Sequence, residues 1–364
     1  MRVVDVLEAG IADGTQIGAQ IYVSEGGEER LNAALGESKR GTAMTTDSMM
    51  IWFSMTKAIT SVAVAQQWER GALDVDDAVV AHIPEFTGKD GVTIRHLLTH
   101  TAGLRFADGF LEGAPWSETP AENIARICAA ELEYEPGSRA GYHPASGMAV
   151  LGEIVARASG TRFDEYVRAE IFEPIGATDC WIGMPADRFA AYGDRIGVMH
   201  NTEGTEIKPL KIVDDAPAVE KYLPGGNGRG PMRQLAKVYE SLLGFGPQLL
   251  DPVTVAAISA RHRTQLVDET FGIVLDWGLG FAIDSWHMGR HCSRRAFGHG
   301  GHLSSVAFCD PEHGVVAATV CNGMPGRDRH SARFDAISSA IYVDLGIAKP
   351  SDDGRTKEFP KAAF

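Results

Sequence analysis

Strand-like segments stand at both ends of this chain of 364 residues, and a long helix-and-loop stretch keeps them apart. Gln16–Ser24 and Arg30–Gly36 read as strands joined by the turn-forming Glu25-Gly26-Gly27-Glu28. The pattern returns only from Trp277, in Gly278–Ser285, Ser304–Asp310 and Val315–Asn322, with Pro311–Gly314 as a hairpin turn. Between them Pro and Gly punctuate helical runs. Strands must share a layer to bury a face, so the order predicts one sheet gathered from both ends of the chain, flanked by helices and carrying an inserted, mainly helical lobe. The expected divisions are 1–75 with 263–345 as the α/β sheet domain, 76–262 as the helical insertion, and 346–364 as a loose polar tail. Residues 3–13 and Arg329–Leu345 read as helices, and a cleft between the lobes is where a ligand is expected.

Composition narrows the function classes. A formal charge of -14 argues against nucleic acid, which needs clustered Lys and Arg. No apolar run approaches the ~18 residues of a membrane span, and the acidic start MRVVDVLEAG is unlike a secretory signal. Five cysteines, an odd number without a Cys-x-x-Cys pair, suggest reduced thiols and a cytoplasmic protein.

Ser54-Met55-Thr56-Lys57 opens a run to Gly71 whose apolar and small residues recur at helical spacing. Because AITSVAVA is apolar or small nearly all round, this helix is expected to be central rather than superficial. A hydroxyl and an amine at i and i+3 share one helix face, and an uncharged amine there could take the hydroxyl's proton. On the tetrapeptide alone, a capped surface helix with a solvated lysine is the more ordinary reading.

The segment FSMTKAITSVAVAQQWERGALDVDDAV resembles the nucleophile helix of the serine β-lactamase and penicillin-binding-protein superfamily, closest to its class C-like branch with the family VIII carboxylesterases. Three further stretches fit in the family's order: IRHLLTHTAGL (94–104), EPGSRAGYHPASGMAVLGEIVARASG (135–160) and FGHGGHLSS (297–305); IFEPIGATD (171–179) is a weaker match. The resemblance implies an α/β (α+β) fold with an antiparallel sheet, β-lactamase/transpeptidase-like. It implies Ser54 as nucleophile, Lys57 and Tyr142 as general base and acid, and the backbone N–H groups of Ser54 and His302 as oxyanion hole. It places His299, Gly300 and Gly301 on the strand lining the site, and His143, Phe106 and Trp116 are further candidate substrate contacts. Which of Lys57 and Tyr142 starts as base stays open, since the two would titrate as a pair.

Two departures bear on substrate. Pro144 stands where the family's Tyr-x-Asn motif has an amide, and His299 where lactamases typically carry a lysine. Both losses favour a carboxylic ester over a β-lactam. The expectation is therefore a cofactor-free serine hydrolase of small-molecule esters or amides, with homo-oligomerisation left open. The alternatives are a β-lactamase or D-amino-acid amidase or peptidase, an acyltransferase (transesterase) using the same acyl-enzyme, and, least favoured, a non-catalytic binding protein that keeps the fold. His287, His291 and Cys292 lack a further ligand cluster, so no metal is expected. His96 and His100 are expected to be satisfied buried histidines. Gly225–Gly230 lacks a P-loop's Lys-Ser/Thr and reads as a tight turn bordering the cleft.

Overall fold

The structure, a computed structural model, describes residues 1–210 and 219–360. Its main sheet has eight strands: β1 (Gly18–Glu25), β2 (Glu28–Lys39), β3 (Thr42–Ala43), β4 (Asp276–Trp277), β5 (Ala282–Ile283), β6 (Phe297–Gly301), β7 (Ser305–Asp310) and β8 (Val315–Cys321). Their order is β4-β5-β6-β7-β8-β1-β2-β3, antiparallel at every step. The two ends of the chain meet in the middle of the sheet, where β1 pairs with β8 from Ala19↔Cys321 to Glu25↔Val315.

Every residue of β7 and β8 is buried. A strand covered on both faces carries mostly apolar or small residues on both, which is why VVAATVC does not alternate. On one face Ile21, Val23, Phe308 and Ala317 pack with Val3 and Leu7 of helix α1 (Arg2–Ala12) and with Ile337 and Ile341 of helix α5 (Arg327–Asp344). The first turn of α1 is tied to α5 by the Arg2 and Val3 N–H groups, each donating to an Asp344 carboxylate oxygen at 3.0 Å. On the other face Tyr22, Val316, Ala318 and Val320 join helix α2 (Thr56–Glu69) and helix α4 (Met232–Leu242) in the larger core. Residues Thr56 to Gln67 of α2 are all buried, as the absence of a polar stripe predicted. Helix α3 (Ser146–Ser159) packs against α2.

Two expectations need correction. Gly278–Ser285 is not a continuous strand: Gly278 N–H donates to Phe281 O at 2.8 Å, and the chain turns at Gly280 with φ 86°. A side chain at Gly280 would overlap Ser61 Oγ of α2, so the turn is what lets the sheet edge lie against the helix. The tail is not loose through residue 357. Arg355 forms a two-pronged ion pair with Asp284 at 2.6 and 2.7 Å, and Lys357 reaches Asp284 at 2.9 Å. Phe359 adds a ring contact with Trp286, centroids 5.9 Å apart.

Candidate active site

Ser54 lies in a single 3-10 turn, Phe53–Met55, that feeds directly into α2. This places it at the positive end of the helix dipole, just before the first turn, whose N–H groups have no partner within the helix itself. Ser54 is half-buried, while Lys57, one turn on, has no exposed surface. Lys57 Nζ stands 3.0 Å from Ser54 Oγ, 2.7 Å from Pro144 O and 2.8 Å from Gly225 O. Burial lowers the Lys57 pKa to about 7, and the Asp108 carboxylate opposes that shift. Three oxygens around one nitrogen suit both of its states. An ammonium donates to all three; a neutral amine gives two N–H groups to the carbonyls and keeps its lone pair for the hydroxyl.

Tyr142 arrives from the chain before α3. Its phenol hydrogen-bonds Ser54, and the Lys57 ammonium lies 5.0 Å from its ring centroid. Burial pushes the phenol's pKa well above its ordinary value, so it stays protonated near neutrality. The three groups expected to converge are therefore together.

The third motif lies on β6. His299 is 4% exposed and wedged between Tyr142 and Trp277, with ring centroids 5.9 and 5.6 Å away. Burial holds its pKa well below the usual imidazole value, so it is neutral. Gly300 is half-buried and open, with the nearest atom to an added Cβ 3.7 Å away. Gly301 differs: a Cβ there would overlap Ser305 Oγ and the Trp52 carbonyl oxygen. Its glycine is needed less for substrate than for pressing β6 against the segment that carries Ser54. Bulky residues adopt left-handed backbone beside both expected oxyanion donors, Phe53 (φ 48°) before Ser54 and Leu303 (φ 44°) after His302. Such conformations cost ~1–3 kcal/mol each and persist only where surroundings impose them. Here the rings of Phe53 and His302 meet edge to face at 5.9 Å, joining the two strained turns.

The other expected substrate contacts differ in exposure. His143 has no exposed surface; its N–H donates to His100 Nδ1 at 3.2 Å, and its Nε2 accepts from Leu104 N–H at 3.4 Å. It packs the wall behind Tyr142 and cannot touch substrate. Phe106 and Trp116 are half-buried. Phe106 lies beside the Arg105 guanidinium, 5.8 Å from its centroid, and Trp116 packs on the edge of the larger core. Trp52 is wholly core, with its indole N–H donating to Gly230 O at 3.0 Å.

Sequence reasoning missed the groups that hold Lys57. Pro144 and Gly225 act through main-chain carbonyls, which leave no side-chain signal. The 225–230 loop is more than a border, because Trp52 N–H donates to Gly228 O at 2.7 Å and Gly228 N–H to Thr56 Oγ1 at 2.8 Å. Asp108, buried and with its pKa pushed up to about 7, was also unmarked. Among the described residues no cluster of His, Cys, Asp or Glu could hold a metal ion, and no helix is long and apolar enough to cross a membrane.

Comparison with known proteins identifies the family and the fold. The model of the family described as Beta-lactamase matches residues 3–341. Esterase EstB of Burkholderia gladioli is 30% identical over 76% of this chain and 77% of its own. The crystal structure of a penicillin-binding protein homologue from Caulobacter crescentus superposes with a TM-score of 0.77 at 28% identity, covering 94% of this chain and 97% of that one. A family VIII carboxylesterase shares the fold at 24% identity, with a TM-score of 0.76 over 93% of this chain and 96% of its own.

Proposed function

The chain belongs to the beta-lactamase family and is a serine hydrolase; from that premise we propose that it cleaves carboxylic esters through an acyl-enzyme on Ser54. The observation that carries the assignment is the meeting of the Lys57 amine and the Tyr142 phenol at one hydroxyl.

Lys57, with its pKa near 7, is the base. Its lone pair takes the Ser54 proton as Oγ bonds to the ester carbonyl carbon, and the carbonyl's π electrons move to oxygen. The N–H groups of Ser54 and His302 hold that oxyanion, an arrangement commonly worth several kcal/mol of barrier. As the tetrahedral species collapses, the C–O bond to the alcohol breaks. The alkoxide takes the Tyr142 proton, which the Lys57 ammonium replaces. Water then attacks the acyl carbon by the same path in reverse, releasing the acid and Ser54.

An ester suits the site better than a β-lactam. The Pro144 carbonyl is occupied by Lys57, and no side-chain amide stands there for an acylamino group. His299 is neutral, so it offers no fixed charge to a lactam carboxylate. Five unpaired cysteines support a reducing, cytoplasmic setting.

The test compares wild type with Ser54→Ala on p-nitrophenyl butyrate, a chromogenic cephalosporin and a D-alanine anilide. Fastest turnover of the ester, lost in the variant together with fluorophosphonate labelling, is the expected result. Dominant cephalosporin turnover would overturn the ester assignment, and undiminished turnover in Ser54→Ala would remove the nucleophile.

A further inference from the structure

Tyr142 lies outside any helix or strand, yet its main chain is held at both ends by one distant segment. Its N–H donates to Asp268 Oδ1 at 3.1 Å, and its carbonyl accepts from Thr270 Oγ1 at 3.1 Å. The preceding Ala140 bridges Asp268, and its carbonyl accepts from Glu269 N–H at 2.9 Å. Asp268 is in turn held by several contacts. The same Oδ1 accepts the Thr270 and Phe271 N–H groups at 3.0 and 3.2 Å, while Oδ2 faces Arg263 Nη2 at 3.1 Å. The side chains of Arg263 and Asp268 are 1% and 0% exposed. Arg263 is anchored by Nη1 donating to Thr99 O at 3.0 Å, and its guanidinium lies 5.2 Å from the Trp277 centroid.

The phenol ring is caged by the same neighbourhood. His100, Phe271, His299 and Trp277 stand 4.6, 5.0, 5.9 and 6.1 Å from it, centroid to centroid. Burying an ion pair is a poor way to gain stability, because its desolvation cost offsets most of the attraction. What it supplies here is a fixed anchor, far along the chain, for one short loop.

We propose that Asp268, braced by Arg263, and Thr270 form a positioning unit that grips the Tyr142 main chain and aims its phenol at Ser54. The proposal rests on the assignment of Tyr142 as proton relay. None of the three touches substrate; they act through Tyr142.

The test is a double-mutant cycle. Thr270→Val removes the hydroxyl that holds the Tyr142 carbonyl while keeping the side-chain shape. It is measured in the wild-type and in the Tyr142→Phe backgrounds, on methyl butyrate and p-nitrophenyl butyrate. Loss of one such hydrogen bond corresponds to about a tenfold fall in kcat. The fall is expected on methyl butyrate with KM near wild type, is smaller on the nitrophenyl ester whose leaving group needs no proton, and is restored in Thr270→Ser. In the Tyr142→Phe background the same substitution should change little. An equal fall in both backgrounds, or no fall in the first, overturns the positioning unit while leaving Tyr142 as relay. Wild-type turnover of methyl butyrate by Tyr142→Phe overturns the relay itself, and the unit with it. Thr270→Ala carries the same comparison if the valine variant lacks a cooperative melt.

Discussion

Replacing Gly301 with alanine tests how the site is assembled. The added methyl would lie against the Trp52 carbonyl oxygen, which is main chain and cannot rotate aside, and against Ser305 Oγ, which can. Reaching even a tight carbon–oxygen contact moves β6 and the Trp52–Ser54 segment apart by about 1 Å. Overpacking of this kind costs about 1–3 kcal/mol, a fall of roughly 2–6 °C in Tm at about 2 °C per kcal/mol. The separation also opens the gap between the Ser54 and His302 N–H groups. A misplacement of ~1 Å is enough to lower turnover ~100-fold. Gly300→Ala is the control, since its methyl meets nothing closer than His287 Nδ1 at 3.7 Å. Its melting point should match wild type, and any effect should appear in KM for bulky acyl groups. Thermal melts and steady-state hydrolysis of p-nitrophenyl butyrate read both outcomes. A Gly301→Ala enzyme with wild-type Tm and turnover would refute the close-approach argument.

Three other outcomes are expected. With the Lys57 pKa near 7, kcat/KM should climb through about pH 7 and then level off; a flat profile from pH 5.5 to 8.5 would exclude Lys57 as the base. The folded-state value lies below the ordinary 10.5, so the unfolded chain binds more protons between those values and stability gained through this group rises with pH across that window. Lys57→Met should therefore be inactive yet melt higher than wild type at pH 6, with the advantage shrinking towards pH 9; a lower melt at pH 6 would contradict the burial argument. Deleting residues 351–364 removes Arg355 and Lys357 from Asp284 and uncovers Cys292, now 2% exposed. Native maleimide labelling should then gain one thiol and Tm should fall, and an unchanged thiol count would show that the tail does not cover Cys292.

The legible parts of this fold were those written in side-chain pattern. Apolar runs at 305–310 and 315–321 announced buried strands, and the small, stripe-free face of 58–65 announced a central helix. Ser54, Lys57 and Tyr142 were legible because their chemistry is carried by side chains inside ordered motifs. The break at Gly278–Phe281 was not, because it answers to Ser61, more than two hundred residues away. His143 was misplaced for a related reason. Its ring answers to the Leu104 N–H and the His100 ring, some forty residues earlier in the chain, so it lies in the wall. Pro144 and Gly225 serve Lys57 through carbonyls that any residue possesses. Asp268 and Arg263 gain meaning only from each other and from Tyr142.

The seam between β1 and β8 bears on how the protein is made. At roughly 5–20 residues per second, a ribosome finishes the first strand some 15–60 s before the strand that must lie beside it. Throughout that interval a hairpin whose first strand is destined for the interior is tethered to the ribosome with one edge unclaimed, a template for wrong pairing. Closure then joins strands as far apart in sequence as Ala19 and Cys321, the slowest class of encounter in folding. A circular permutant that links α5 to α1 and opens the chain elsewhere would make those two strands near neighbours in synthesis, and it should refold faster at unchanged activity.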